Sequence, residues 1–319
     1  MMDWTDRHCR YFHRLLSPHV RLYTEMVTAS AVIHGDRERL LGFDPAEHPV
    51  ALQLGGSDPG EMAEAAAIAA DMGYDEININ VGCPSDRVQS GRFGACLMLT
   101  PRVVADCVRE MRRSVSVPVT VKSRIGVDGR EDYDFLRDFV GAVAEGGCGV
   151  FLVHARIAVL EGLNPKQNRE IPPLQYETVY RLKEAFSELT IVLNGGVRTV
   201  EAVRHHLDRV DGVMIGREAY QNPWFLTRIE DVVFSGHPPE SRLEVADAMV
   251  NYARSQLSKG VRLHSITRHM LGLFAGQPGA RAWRRTLSEQ APRAGAGVRV
   301  IEAALDHVRG TLAGEGAAT

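Results

Sequence analysis

Apolar residues fall along this chain in two alternating rhythms. From residue 20 to about 219, short runs rich in Val, Ile and Leu alternate with longer stretches in which apolar residues return every three or four positions. The short runs predict strands at 20–29 (VRLYTEMVTA), 50–56 (VALQLGG), 76–83 (EININVGC), 117–126 (VPVTVKSRIG), 149–156 (GVFLVHAR), 190–197 (TIVLNGGV) and 212–217 (GVMIGR). Most are nearly continuous, as parallel strands covered on both faces should be. The longer stretches read as helices with legible starts. Asp58-Pro59 and Glu61 supply a cap, a proline at the first helical position and an acid at the third; Met62, Ala65, Ala69 and Met72 follow at helical spacing. Thr100-Pro101 repeats the device ahead of Val104, Cys107, Val108 and Met111, and residues 131–145, 175–187 and 199–208 complete the set.

Seven such units are one short of a (β/α)8 barrel. The chain opens "MMDWTDRHCRYFHRLL", a capping residue leading straight into a helix pattern of Cys9, Phe12, Leu15 and Leu16. A first strand is therefore expected just ahead of Met1, outside this chain. The predicted fold class is α/β, a TIM barrel lacking its first strand over residues 1–235. An open doubly wound sheet is the alternative, weakened because no GxGxxG follows an early strand. Past "SGHPPES" (235–241), helical patterns at 242–258, 264–274, 281–290 and 297–312 predict a small helical domain over 236–319, with a disordered tail of small residues.

Composition narrows the class. At 45% hydrophobic and 24% charged, the chain has ample material for a core. No apolar run approaches a membrane span and no signal peptide opens the sequence. Cys9, Cys83, Cys96, Cys107 and Cys148 form no CxxC pair, which predicts free thiols in a reducing, cytoplasmic setting and neither a disulfide framework nor a zinc site. The net charge of −3 hides an asymmetry. Residues 248–288 hold no acid, yet carry Arg254, Lys259, Arg262, Arg268, Arg281, Arg284 and Arg285. Such a stretch suits a polyanionic partner; a solvated helical face is the plainer alternative.

The candidate chemistry sits at strand ends, where barrels place it. Gln53, Asn80, Cys83, Lys122, Arg124, His154, Arg156, Asn194 and Arg217 all close predicted strands. Taken singly, a cysteine is usually a small buried hydrophobe and a lysine usually reaches for water. Six consecutive strands ending this way must converge on something polar, because burying such groups unpaired costs several kcal/mol each. "NGGV" (194–197) and "GREA" (216–219) end the last two strands, where glycine amides and a helix start commonly bind phosphate, with Arg217 adding donors. Phosphate held there, with Gln53, Asn80, Lys122 and His154 around the mouth, suits flavin mononucleotide, Lys122 stabilising the anionic reduced ring. A lyase using Lys122 as a Schiff base, a flavoprotein acting on a free pyrimidine and a non-catalytic RNA-binding protein are the rivals.

The segments "MMDWTDRHCR", "ININVGCPS", "VKSRIG", "VHAR", "LNGGV", "MIGR" and "RHMLGLFAGQPGARAWRRTLSE" together resemble the tRNA-dihydrouridine synthases, and within them the bacterial subfamily A that acts on U20 and U20a. The likeness covers essentially the whole chain. It implies an FMN-binding barrel, a helical tRNA-binding domain and NADPH-dependent reduction of the C5–C6 bond of uridine. It further implies FMN contacts from Met1, Met2, Gln53, Lys122, His154, Asn194, Gly195, Gly196, Gly216 and Arg217. Cys83 becomes the donor of the C5 proton, and Asn80, Lys166, Arg169, Arg281 and Arg284 become tRNA contacts. The family normally begins with a strand ending in Ala-Pro ahead of the paired methionines, which this chain lacks.

Overall fold

The computed structural model describes residues 1–85, 88 and 91–316. The chain divides into two compact units, Met1–Met2 with Arg21–Gly216 and Asp3–Val20 with Arg217–Thr319.

The first unit is built on β1 (Leu22–Thr28), β2 (Val50–Gly55), β3 (Glu76–Val81), β4 (Val119–Arg124), β5 (Val150–His154), β6 (Thr190–Asn194) and β7 (Gly212–Met214). All run parallel in one sheet whose order is the chain order, so each strand pairs with the next. This is the strand order of a TIM barrel, and all seven expected strands are present. Among the described residues β1 and β7 are the sheet's two edges. The nearly unbroken apolar runs become strands buried on both faces: Val50, Ala51, Leu52 and Leu54 of β2 are wholly shielded, as are Ile77 and Val81 of β3.

Helices α2 (Ala29–His34), α3 (Arg37–Leu41), α4 (Pro59–Asp71), α5 (Pro101–Ser114), α6 (Tyr133–Glu145), α7 (Tyr176–Ala185) and α8 (Val200–Leu207) lie between the strands. Asp58 caps α4 as expected, accepting from the Glu61 N–H at 2.9 Å. Thr100 does not cap α5; its hydroxyl faces the Leu97 carbonyl instead, so Pro101 alone marks that start. The short α2 and α3 escaped the sequence pattern because neither is long enough to show a period. Thr28 and Asp36 start them by accepting from the N–H groups of Ala31 and Arg39.

The second unit contains α1 (Arg7–Leu16), α9 (Arg217–Gln221), α10 (Phe225–Phe234), α11 (Arg242–Ser258), α12 (Leu263–Thr267), α13 (Ala280–Gln290) and α14 (Arg299–Gly316). Here α1, which the sequence pattern attached to the first barrel repeat, belongs with the C-terminal helices. It buries Cys9, Phe12 and Leu16, and His8 Nδ1 meets the Tyr252 hydroxyl at 2.8 Å. The stretch 235–241 lies inside this unit, between α10 and α11, and the two units divide between Gly216 and Arg217. The helix expected over 264–274 is α-helical only through Thr267. Beyond it the backbone tightens to bonds three residues apart, as in Met270 N–H to Thr267 and Leu273 N–H to Met270. Gly272 packs directly on the Gln221 carbonyl, which a Cβ would meet at 2.6 Å. At the other end α14 continues to Gly316, past its expected end near 312, and the last residues of the expected disordered tail lie outside those described.

Trp283 anchors this unit. It is fully buried, stands edge-on to Phe274 with centroids 4.9 Å apart, and donates its indole N–H to the Met270 carbonyl at 3.1 Å. Trp283→Ala should cost about 3–5 kcal/mol, the range for emptying a buried aromatic site. Urea unfolding followed by circular dichroism checks this, and an unchanged midpoint would contradict it.

Candidate active site

The end of β3 is shaped by one amide. Asn80 Oδ1 accepts the N–H groups of Gly82 at 3.1 Å and Cys83 at 2.9 Å, a side-chain-closed turn that stops the strand and presents Cys83 half-buried. The Cys83 carbonyl accepts from Ala95 N–H at 2.9 Å. Gly94 sits beside it at φ +78°, where a Cβ would come within 2.6 Å of that carbonyl, so the close approach requires glycine. Arg124, at the end of β4, donates to the Gly82 carbonyl at 3.2 Å and to those of Ile157 and Asn168 at 3.2 and 3.0 Å. The backbone that carries the thiol is thus held from its own strand and from the neighbouring one. The Cys83 sulfur lies 3.5 Å from the Ser85 hydroxyl. Residues 86, 87, 89 and 90, which follow in the chain, lie outside the described residues.

Around the same sheet end, register brings the other strand-end residues alongside. Lys122 pairs with Asn80, His154 with Arg124 and Asn194 with His154. Gln53 meets Asn80 directly, its Oε1 accepting from Asn80 Nδ2 at 2.7 Å. Lys122 is half-buried; withdrawal from water, with the Arg124 charge added, pushes its ammonium down to about 8, against an opposing pull from Cys83. Burial, then the charges of Arg124 and Lys122, holds His154 well below its ordinary value, so the imidazole is neutral. Its Nδ1 is buried with no partner among the described residues.

After β6 the chain turns through Gly195 at φ +118° and Gly196 at φ +72°. A Cβ on Gly196 would strike Leu174 at 2.5 Å and the Tyr176 hydroxyl at 2.8 Å. Tyr176 braces the turn by donating to the Gly195 carbonyl at 2.8 Å, and Asn194 Nδ2 ties it to the Met214 carbonyl of β7, also at 2.8 Å. Gly216 follows β7, and a Cβ there would lie 3.8 Å from the Met1 sulfur. Met2 is exposed beside it in the chain. Arg217 opens α9 in the second unit.

Of the positions expected to touch nucleic acid, Asn80 is half-buried in the mouth and Lys166, Arg169, Arg281 and Arg284 are exposed. Lys166 and Arg169 sit on a loop pinned from within by the fully buried Asn168, whose amide accepts from Val159 N–H at 2.8 Å and donates to the carbonyls of Val159 and Leu163. The Arg169 charge depresses both Arg124 and His154, which puts it on the mouth's side of the sheet. In the second unit, Arg281 and Arg284 are three residues apart on α13 and share an exposed face. Arg284 lines a cavity of about 230 Å³ with Tyr220, Arg268 and His269. Two cations of the acid-free window are paired with acids outside it: Arg254 with Glu302 at 3.4 Å and Arg268 with Asp6 at 2.5 Å.

Beneath the mouth lies a row of Glu76, Asn78 and Thr120, of which only the amide of Asn78 stood out in the sequence. Its signal was present: polar residues occupy every second position of EININV and VTVKSR, which in a strand share a face.

The sequence profile of the dihydrouridine synthase family (Dus) matches residues 1–309. The chain belongs to the dihydrouridine synthase family. It is 57% identical over 307 residues to a tRNA-dihydrouridine(20/20a) synthase of Vibrio parahaemolyticus, covering 96% of this chain and 94% of that protein. Proteins of the same name from Xanthomonas campestris and Escherichia coli are 57% and 56% identical, over 95% and 96% of this chain and 90% and 92% of theirs. The expected barrel fold and the family resemblance are therefore both borne out, and the family's chemistry makes the chain an oxidoreductase.

Lys122 gives this arrangement a stability signature. Between its depressed value of about 8 and its ordinary 10.5, the unfolded chain holds a proton that the folded chain has released. The desolvated cation therefore penalises the fold below pH 8, and stability rises with pH through that window. Cofactor-free Lys122→Met should have a higher urea midpoint than the unsubstituted protein at pH 7, with the advantage shrinking between pH 8 and 10.5. A lower midpoint at pH 7 would contradict this.

Proposed function

We propose that this chain reduces the C5–C6 double bond of uridines 20 and 20a in the tRNA D-loop, using FMN and NADPH, in the cytoplasm. The observation that carries the reading is the grip on the Cys83 turn beside a mouth whose Lys122 and His154 meet no acid among the described residues. The names of the relatives support the substrate.

The residues at the mouth fit FMN. The glycine pair after β6 offers backbone N–H groups for the phosphate with no side chains of its own. Lys122 would hold its charge against the electron-rich edge of the ring, and Gln53 and the unpartnered Nδ1 of His154 supply hydrogen-bonding groups. Met1, Met2, Asn194, Gly216 and Arg217 complete the proposed contacts. When bound, FMN supplies the hydride that NADPH first delivers.

Conjugation of C5=C6 with the C4 carbonyl lets a hydride add at C6, and the resulting enolate then needs a proton at C5. Cys83 supplies it: a protonated thiol can donate without a partner base, and the turn closed by Asn80 fixes where it points. The second N–H of the Asn80 amide is available to the base. A uridine in folded tRNA must first leave its stack, at a cost of a few kcal/mol. Phosphate contacts from Lys166, Arg169, Arg281 and Arg284 offset that cost. A dehydrogenase of a free pyrimidine would share the mouth but would have no use for an exposed basic face on α13.

Cys83→Ala should keep its yellow chromophore and its reduction by NADPH, while dihydrouridine formation falls by about a hundredfold or more. Turnover at the unsubstituted rate would remove the assignment. Arg281→Ala with Arg284→Ala should weaken tRNA binding and make the log–log salt dependence shallower by about 1 to 2. An unchanged slope would place the tRNA elsewhere.

A further inference from the structure

A continuous hydrogen-bonded row runs up the inner face of the sheet from the start of β3 to Cys83. At its base the Glu76 carboxylate, 2% exposed, accepts from Arg21 and from the Tyr23 hydroxyl, the latter at 2.8 Å. Thr120, fully buried on β4, donates its hydroxyl proton to Glu76 Oε1 at 2.7 Å. The Thr120 oxygen accepts from Asn78 Nδ2 at 2.8 Å; Asn78 Oδ1 accepts from Gln53 Nε2 at 2.8 Å; Gln53 Oε1 accepts from Asn80 Nδ2 at 2.7 Å. Asn80 Oδ1 is then left for the N–H groups of Gly82 and Cys83.

Every donor in the row points the same way, toward Glu76. A carboxylate only accepts, so the Thr120 proton has one direction to go, and its oxygen must accept from the next group. Each amide above is oriented by the one below it. The last consequence is that Asn80 turns its carbonyl, not its NH2, toward the backbone N–H groups that form the Cys83 turn. With that amide reversed, donors would face donors and the turn would open.

We propose that Glu76, Thr120 and Asn78 are positioning residues for Cys83, acting as a one-way hydrogen-bond relay that fixes the Asn80 amide and through it the thiol. This rests on the role given to Cys83 above and extends it to residues that touch neither substrate nor cofactor.

The test compares Thr120→Val, which keeps the shape and removes the hydroxyl, with Thr120→Ser, which keeps the hydroxyl. In the flavin-loaded enzyme, Thr120→Val should lower kcat for dihydrouridine about tenfold while tRNA KM, carried mainly by the phosphate contacts, changes by less than about twofold, because a displaced donor costs rate more than binding. Flavin content and NADPH reduction should stay within about twofold of the unsubstituted enzyme, and Thr120→Ser should restore kcat to within about twofold. Alkylation of Cys83 by iodoacetamide, quantified by mass spectrometry, should change by at least about threefold in Thr120→Val and not in Thr120→Ser.

Equal kcat in the unsubstituted and Val enzymes, or equal loss in Val and Ser, would overturn the relay. Should the unsubstituted enzyme form no dihydrouridine, the functional reading fails, yet the alkylation comparison still decides the relay. Should Thr120→Val not fold, Glu76→Gln, which offers Thr120 a donor and so permits the row to reverse, should give the same loss of kcat and altered alkylation; normal values of both would overturn the proposal.

Discussion

A polar side chain on the inner face of a parallel sheet has to be answered, because leaving it buried and unpaired costs on the order of several kcal/mol. This chain meets that constraint differently at the two ends of the sheet. Toward the strand starts, Arg21, Tyr23, Glu76, Thr120 and Asn78 satisfy one another. Toward the strand ends, His154 Nδ1 has no partner among the described residues, and Lys122 feels the Arg124 charge and the Cys83 thiol. The first set closes the interior; the second leaves a mouth that a ligand must complete. Gln53 and Asn80 join the two, since their amides belong to the row below and to the rim above.

The fold was legible where one physical cause dominates the sequence. Strands buried on both faces must be apolar throughout, so all seven runs declared themselves, and Asp58 announced α4 through a cap that forms as read. The failures came where a pattern has two causes. An amphipathic α1 says that a face is buried but not against what, and its partners Tyr252, Arg268 and His269 lie more than two hundred residues away in sequence. Apolar spacing over 264–274 serves an α-helix or a string of tighter turns alike, and the packing of Gly272 on Gln221 is a tertiary fact. Thr100 has the chemistry of a cap but turns its hydroxyl elsewhere.

The site was legible as a set of residue types, not as an arrangement. Strand-end polar residues in consecutive repeats pointed to a shared mouth, and register unites Asn80, Lys122, His154 and Asn194 there. What the sequence cannot carry is direction: nothing in "ININVGC" says which way an amide faces, and only the acceptor at Glu76 decides it. The basic window behaves similarly. Its composition suggested a polyanion, but Arg254 and Arg268 are committed to Glu302 and Asp6, leaving Lys259, Arg262 and the exposed arginines of α13 with charge to offer.

The central claim joins that mouth to a nucleobase in tRNA. Its most direct test is mass-spectrometric mapping of dihydrouridine in tRNA from a strain lacking this gene, with and without a plasmid copy. Dihydrouridine at positions 20 and 20a should vanish on deletion and return with the plasmid; tRNA that keeps it in the deletion strain would contradict the account.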